Sequence, residues 1–242
     1  MLQIFAKEVK NFLSSLIAYM VMGVFLVITG LIVWVFPETN VLSYGYAELG
    51  PLFNLGPYVL MFLIPAICMR TFAEEKKTGT LELLLTKPLS DLQIILGKFT
   101  ASWFLVLLAI LPTSIYCYSL YHLASPVGNI DSAGITGSYF GLILLAGVFT
   151  AFGVLASSIS ENQIIAFILA VFMCFMMYAG FDSISNINIW SDYSPIIAQL
   201  GLLSHYQGMS KGLIDSRDLF YFLTAMIVAL QLTRMSLGSR KW

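Results

Sequence analysis

The sequence is dominated by long apolar stretches that contain no charged residue. No Asp, Glu, Lys or Arg occurs between Lys10 and Glu38, or between Lys98 and Asp131. A bilayer core about 30 Å thick is crossed by about 20 apolar residues in a helix, the form that satisfies its own backbone hydrogen bonds there. We therefore predict six transmembrane helices, at about 14–36, 52–69, 99–121, 138–159, 163–181 and 219–237.

The composition leads to the same fold class. Of the 242 residues, 59% are hydrophobic and 10% are charged, and the mean hydropathy is +0.87. A soluble domain carries roughly 25% charged residues, because its surface must face water. The net charge of −1 argues against a nucleic-acid partner. We predict an all-α integral membrane protein whose surface mostly faces membrane lipids.

The basic residues predict the orientation. With both termini in the cytoplasm, only Lys211 and Arg217 of the twelve Lys and Arg residues lie outside. Cytoplasmic loops carry an excess of Lys and Arg, so this orientation is favoured over its inverse. The first apolar stretch is longer than a signal-peptide core and is expected to be a retained span. The basic residues on the predicted cytoplasmic side are Lys7, Lys10, Arg70, Lys76, Lys77, Lys87, Lys98, Arg234, Arg240 and Lys241.

No catalytic signature is present. The middle of each predicted span lacks ionisable Asp, Glu, Lys and Arg, which weighs against an ion-coupled carrier. The sequence has no H-E-x-x-H and no G-x-S-x-G, and Gly97-Lys98 lacks the upstream glycine of a phosphate-binding loop. His122 and His205 are predicted to be interfacial polar residues. We expect no enzyme activity, and no catalytic, cofactor or metal site in this chain.

One connection, Arg70–Phe99 on the predicted cytoplasmic side, is longer and richer in charge than the others. A mixed-charge turn comes first, and Gly79 and Thr80 then precede a predicted short helix over 81–86. Glu82 lies in the first turn of this helix, where its charge suits the helix dipole.

The same connection contains a second predicted helix. Pro88 ends the short helix, and Ser90 with Gln93 three residues later forms a capping box that begins a helix running into the third span. The leucines of the short helix, at 81, 83, 84 and 85, cover more than one of its faces. The residues alone leave two interpretations open: an interfacial helix against the headgroups, or a docking helix for a soluble partner.

The run EEKKTGTLELLLTKPLSDLQIILGK, residues 74–98, resembles the cytoplasmic loop of type-2 ABC exporter permeases. In that family the loop is a coupling helix that inserts into a cleft on a separate ATPase subunit, which binds ATP and Mg. The resemblance implies a single permease domain over 1–242, with the coupling loop at 70–98. By position, it implies that the residues contacting the ATPase are Glu74, Glu75, Lys76, Gly79, Thr80, Leu81, Glu82 and Leu84.

Further features are similar to the same family. The N-terminal segment LQIFAKEVKNFL is amphipathic and is expected to lie along the inner membrane surface. Residues 182–218 form a long extracytoplasmic segment, which in such permeases contains re-entrant helices above the translocation path. The resemblance also implies a second permease subunit, identical or different, possibly one with a large extracytoplasmic domain.

At the subfamily level, the chain resembles the gliding-motility-associated permeases of Bacteroidota, the GldF subfamily. The stretches 152–167 and 175–187 support this resemblance besides the loop. It implies the bacterial cytoplasmic (inner) membrane. The alternatives are a permease of the nitrous-oxide-reduction accessory transporter and a structural membrane anchor of a motility or envelope complex.

Two smaller features complete the predictions. The polar run SSISENQ, 157–163, is interpreted as a tight turn between spans four and five, with a minor ATPase contact as the alternative. Glycines recur along the fourth span and would permit close helix approach. These glycines are Gly137, Gly141, Gly147 and Gly153.

Overall fold

A computed structural model of the chain describes residues 1–43, 47–85, 89–187 and 193–238, with the backbone alone at 83–85. These residues form helices and short connections, without a strand. The helices are α1 (Leu2–Leu13), α2 (Leu16–Trp34), α3 (Gly50–Cys68), α4 (Ala73–Lys77), α5 (Thr80–Leu85), α6 (Asp91–Ile110), α7 (Ser114–Leu123), α8 (Ser132–Ile159), α9 (Gln163–Phe175), α10 (Phe181–Ser185), α11 (Ser194–Gln199), α12 (Leu202–Ser210) and α13 (Ser216–Gly238). A 3₁₀ turn, Leu111–Thr113, joins α6 to α7, and a π-helix, Met176–Gly180, joins α9 to α10.

Six helical segments are long and apolar enough to cross a bilayer, which confirms the predicted fold class of an all-α membrane protein with six spans. Spans three and four begin earlier than predicted, because polar residues cap them. Ser90 and Gln93 form the predicted capping box, with N···O distances of 3.2 and 3.3 Å. Asp131 accepts a hydrogen bond from the Gly134 amide at 2.9 Å. The spans are Leu16–Trp34, Gly50–Lys77, Asp91–Leu123, Ser132–Ile159, Gln163–Ser185 and Ser216–Gly238.

Helix α8 lies at the centre of the bundle. In its most apolar stretch 89% of the residues are buried, compared with 22% in the first and sixth spans. It packs against α3, α6, α9, α12 and α13. Such close packing on several sides requires small residues. The predicted glycines of α8 lie at these contacts.

Two of these glycines are in close contact with neighbouring helices. A Cβ atom at Gly153 would lie 2.6 Å from the Cβ of Cys68 on α3. A Cβ atom at Gly137 would collide with the carbonyl oxygen of Met209 on α12. Each added atom would be closer to its neighbour than a van der Waals contact allows, so no larger side chain fits at either position without moving a helix.

Residues 193–218 of the predicted extracytoplasmic segment pack on one end of this bundle. This part of the chain contains two helices, α11 and α12, separated at Gly201. Tyr206 is buried, and its hydroxyl donates to the Phe53 carbonyl of α3 at 2.9 Å. His205 Nδ1 lies 2.7 Å from Asp218 Oδ1 on α13. These contacts fix α12 to spans two and six.

We predict that Gly153→Ala lowers the free energy of unfolding by about 1–3 kcal/mol, because the new methyl group overpacks the α3–α8 contact. The matched control is Gly23→Ala on α2, where nothing lies within 4 Å of an added Cβ. Denaturant unfolding of both variants in detergent measures the difference. Equal stability of the two variants would contradict the close contact.

Candidate coupling segment and its anchoring site

The connection between spans two and three folds back on itself at the end of the bundle. Helix α3 ends at Cys68, and the short helices α4 and α5 follow. Gly79 lies between them with φ of +70°, in the left-handed region that glycine adopts without steric cost. Helix α5 begins one residue before the predicted start of the short helix. Residues 86–88, including the predicted stop at Pro88, lie outside the described residues.

The residues predicted to contact an ATPase separate into two groups by burial. Glu74, Gly79, Thr80 and Glu82 are exposed. The inward-facing group is Glu75, Lys76 and Leu81, of which Leu81 is buried and the other two are partly buried. The Leu84 side chain lies outside the described part of the chain.

The inward-facing Glu75 meets Lys98, an α6 lysine whose side chain is 1% exposed. The Lys98 Nζ lies 3.0 Å from Glu75 Oε2 and 2.8 Å from Glu8 Oε1 on α1. It also donates to the Thr71 carbonyl at 2.5 Å and lies 5.0 Å from the centre of the Phe72 ring. One ammonium group therefore connects α1, the turn after α3, α4 and α6.

Lys7, Glu8, Glu75 and Lys98, here called the Lys98 cluster, carry two positive and two negative charges, which balance. An ammonium group has three N–H donors, and a buried charge is tolerated only when it is paired and hydrogen-bonded. At Lys98 the Glu8 carboxylate and the Thr71 carbonyl oxygen accept hydrogen bonds, and the Glu75 carboxylate adds a second ion pair. Lys7, 3.3 Å from Glu75 Oε1, supplies the second positive charge for the two acidic residues.

A second set of contacts fixes α4 to the end of α8. The Ser157 hydroxyl accepts hydrogen bonds from the Phe72 and Ala73 amides at 3.0 and 3.1 Å, and donates to the Met69 carbonyl at 3.1 Å. The first amides of a helix have no partner within it, and a serine oxygen is a favoured cap. Here the cap comes from another span. Lys76 Nζ donates to the Ser158 carbonyl, which also accepts from Ser236 of α13 at 3.2 Å.

Sequence reasoning missed these anchoring residues. Glu8 was part of an amphipathic surface helix, and Lys98 was the last residue of a cytoplasmic loop. Ser157 and Ser158 were placed in a turn, but both are buried in the last turns of α8. An acidic residue on the first helix and a lysine at the inner end of a span were the available signals. They are 90 positions apart, and no local pattern pairs residues at that separation.

Within the described ranges, no group of three or more His, Cys, Asp or Glu residues is placed to hold a metal ion. His122, predicted to be interfacial, lies in the last turn of α7 beside the Tyr118 and Tyr121 rings.

Comparison with known proteins identifies the class of protein. The model of the ABC-2 family transporter proteins matches residues 35–230, well over half of the chain. The chain therefore belongs to the ABC-2 transporter family. It is the membrane permease component of an ABC transporter, is not itself an ATPase, and works with an ABC ATPase subunit. No curated protein sequence matches the chain significantly.

We predict that Lys98→Met lowers the free energy of unfolding by about 3–5 kcal/mol, because Glu8 and Glu75 keep their charges without a partner. The matched control is Lys77→Met at the exposed end of α4, with little expected effect. Adding Glu8→Gln and Glu75→Gln to Lys98→Met should restore part of the loss. Denaturant unfolding measures stability, and amide exchange over residues 69–85 should rise in Lys98→Met. An unchanged exchange rate would show that the cluster does not hold the segment.

Proposed function

We propose that this chain is the membrane-spanning half of an ATP-driven exporter, and that its coupling segment, residues 70–98, docks on the ATPase subunit. The observation that carries the proposal is the division of the segment into exposed and attached residues. Glu74, Gly79, Thr80 and Glu82 are exposed to solvent. Glu75 pairs with Lys98, and the Phe72 and Ala73 amides bond to Ser157. A docking element needs a free face for its partner and a rigid attachment to the part that it moves.

The attachment defines a mechanical route. A push on α4 and α5 reaches α1 and α6 through the Lys98 cluster, and reaches α8 through Ser157 and Ser158. Because α8 contacts most of the bundle, its displacement changes the packing of several spans together. Nucleotide-dependent closure of the ATPase pair would then move the spans between inward-open and outward-open arrangements. ATP and Mg belong to the ATPase subunits in this scheme.

Several finer features belong to the same proposal. Both termini lie in the cytoplasm, which places ten of the twelve Lys and Arg residues inside. The membrane is the bacterial cytoplasmic membrane, and two six-span permeases, identical or different, complete one pathway. The resemblance to GldF-type permeases supports a transporter associated with gliding motility.

The exposed face gives the first test. We predict that Glu82→Lys reduces co-purification of the permease with its ATPase about tenfold or more, because a charge reversal at a close interface contact costs several kcal/mol. The matched variant is Glu161→Lys, an exposed acid in the turn between spans four and five. Unchanged binding in Glu161→Lys supports a connection between spans four and five that makes no ATPase contact. Loss of binding in that variant would support the minor contact instead.

Inward-facing positions distinguish docking from folding. Leu81 is buried, so Leu81→Asp is expected to disturb the segment itself, while Glu82→Lys should leave the unfolding transition unchanged. ATPase binding that survives Glu82→Lys together with Glu74→Lys would refute the docking proposal.

Transport and structural anchoring make opposite predictions. If the permease moves a substrate, a partner ATPase that binds but does not hydrolyse ATP abolishes function while the complex still assembles. If the permease only anchors a motility or envelope complex, the same ATPase variant supports full function. The measurement is cell motility or envelope assembly, with complex formation checked by co-purification.

A further inference from the structure

A polar cavity opens beside the coupling segment, between α1, α2, α3 and α6. Its volume is about 430 Å³, and its lining includes Asn11, Ser14, Ser15 and Arg70. The Nε atom of Arg70 is buried and has no hydrogen-bond partner among the described residues. A guanidinium group stays charged and carries five donors, so a buried donor without an acceptor needs an explanation.

The other two basic residues at this cavity, Lys7 and Lys98, already have acidic partners. Lys98 pairs with Glu8 and Glu75, and Lys7 pairs with Glu75. Within the described ranges, Arg70 forms no ion pair of its own. The remaining acid on the lining is Glu74, which is exposed to solvent. Among the described residues, Arg70 is therefore the cation of this cavity that lacks an acidic partner.

A second cavity lies further along the same pair of helices. Its volume is about 250 Å³, and every lining side chain is apolar. On α2 the lining residues Val21, Val24 and Ile28 follow Ile17 of the polar cavity at intervals of three or four positions, which places all four on one helix face. The two cavities therefore share one side of α2.

The α3 side shows the same alignment. Phe62 and Ala66 line the apolar cavity, and Arg70 follows four positions later, in the turn after the last residue of α3. A cationic side chain thus lies one turn beyond the end of an apolar groove. A groove open to the bilayer with a cation at its headgroup end matches the shape and charge of a phospholipid.

We propose that these two cavities form one binding site for a phospholipid of the inner leaflet, whose phosphate binds Arg70 and whose acyl chain occupies the groove between α2 and α3. Guanidinium groups bind phosphate oxygens in a bidentate manner. Basic pockets between spans on the cytoplasmic side are known to take lipid headgroups. The amphipathic α1, which contributes Asn11 to the cavity, lies at headgroup level in the proposed orientation.

This site extends the proposed function and does not depend on the identity of the ATPase. A lipid bound here would touch both the first span and the start of the coupling segment, since Arg70 is followed directly by Thr71, whose carbonyl binds Lys98. The lipid would thereby occupy the space between α1 and the helices α2, α3 and α6.

The test uses the full chain in detergent, with dioleoyl phosphatidylglycerol as the probe and native mass spectrometry as the measurement. We predict that Arg70→Gln weakens binding about tenfold, the effect of losing one charge-assisted contact. Arg70→Lys should retain part of the affinity. The matched control is Lys77→Gln, an exposed cation of the same segment, which should bind as the unaltered chain does.

The groove is tested separately. Val24→Trp fills it and should weaken binding about tenfold. Val27→Trp changes an exposed residue of the same helix that does not line the groove, and should have no effect. Both variants must show the same unfolding transition, so that a folding defect is not read as lost binding.

Two further probes identify the ligand chemistry. Dioleoylglycerol, which lacks the phosphate, should bind more weakly than phosphatidylglycerol, and Arg70→Gln should not affect it. Glycerol phosphate, which lacks the acyl chains, should fail to displace the lipid. The proposal is overturned if Arg70→Gln or Val24→Trp binds phosphatidylglycerol normally, if dioleoylglycerol binds equally well, or if glycerol phosphate competes and so marks a soluble-phosphate site.

Discussion

The burial of one ammonium group, that of Lys98, determines how one end of this permease is built. A buried charge is costly unless its partners are close, and here they come from three other parts of the chain: Glu8, Thr71 and Glu75. The N-terminal helix, the end of span two and the coupling segment must therefore keep their positions relative to span three. Removing any one partner would weaken the hold on the others.

The same requirement explains why the coupling segment is attached by polar contacts. A surface helix of five or six residues has little apolar area with which to pack, and short isolated helices are unstable in water. The Ser157 cap and the Lys98 cluster supply directional contacts instead. Because directional contacts hold the two sides at fixed distances, a displacement of one side moves the other. This property suits a segment that is proposed to transmit force from an ATPase. Glu74, Gly79, Thr80 and Glu82 of the same segment remain exposed.

Within the bilayer the packing follows a different principle. Lipid tails are as apolar as the helix surfaces, so helices associate through close approach of small residues. Gly137 and Gly153 allow α12 and α3 to reach the backbone of α8. The fourth span thereby contacts α12 near its start, at Gly137, and the turn before α4 near its end, at Ser157. One helix connects both ends of the protein.

The sequence alone determined the fold class, the six spans, the capping box at Ser90 and the role of the span-four glycines. All of these rest on local composition or short spacing, because a bilayer forces each apolar stretch into a helix and each helix start needs a cap. The family resemblance of residues 74–98 could be recognised from the sequence for the same reason, since it rests on one continuous run. Neither the ATPase contacts nor the orientation is decided by the structure, and both stay predictions.

Only the tertiary structure decided which residues of the coupling segment face inward. Glu75, Lys76 and Leu81 were grouped with Glu74 and Glu82 as docking residues, since all belong to one motif. Their separation depends on Glu8, Lys98 and Ser157, which lie 67, 23 and 82 positions from Glu75 in the chain. Burial and ion pairing are properties of residues that are distant in sequence and close in space, and no local pattern encodes them. Arg70 shows the same limit: its charge was visible in the sequence, but its buried Nε atom, without a hydrogen-bond partner among the described residues, was not.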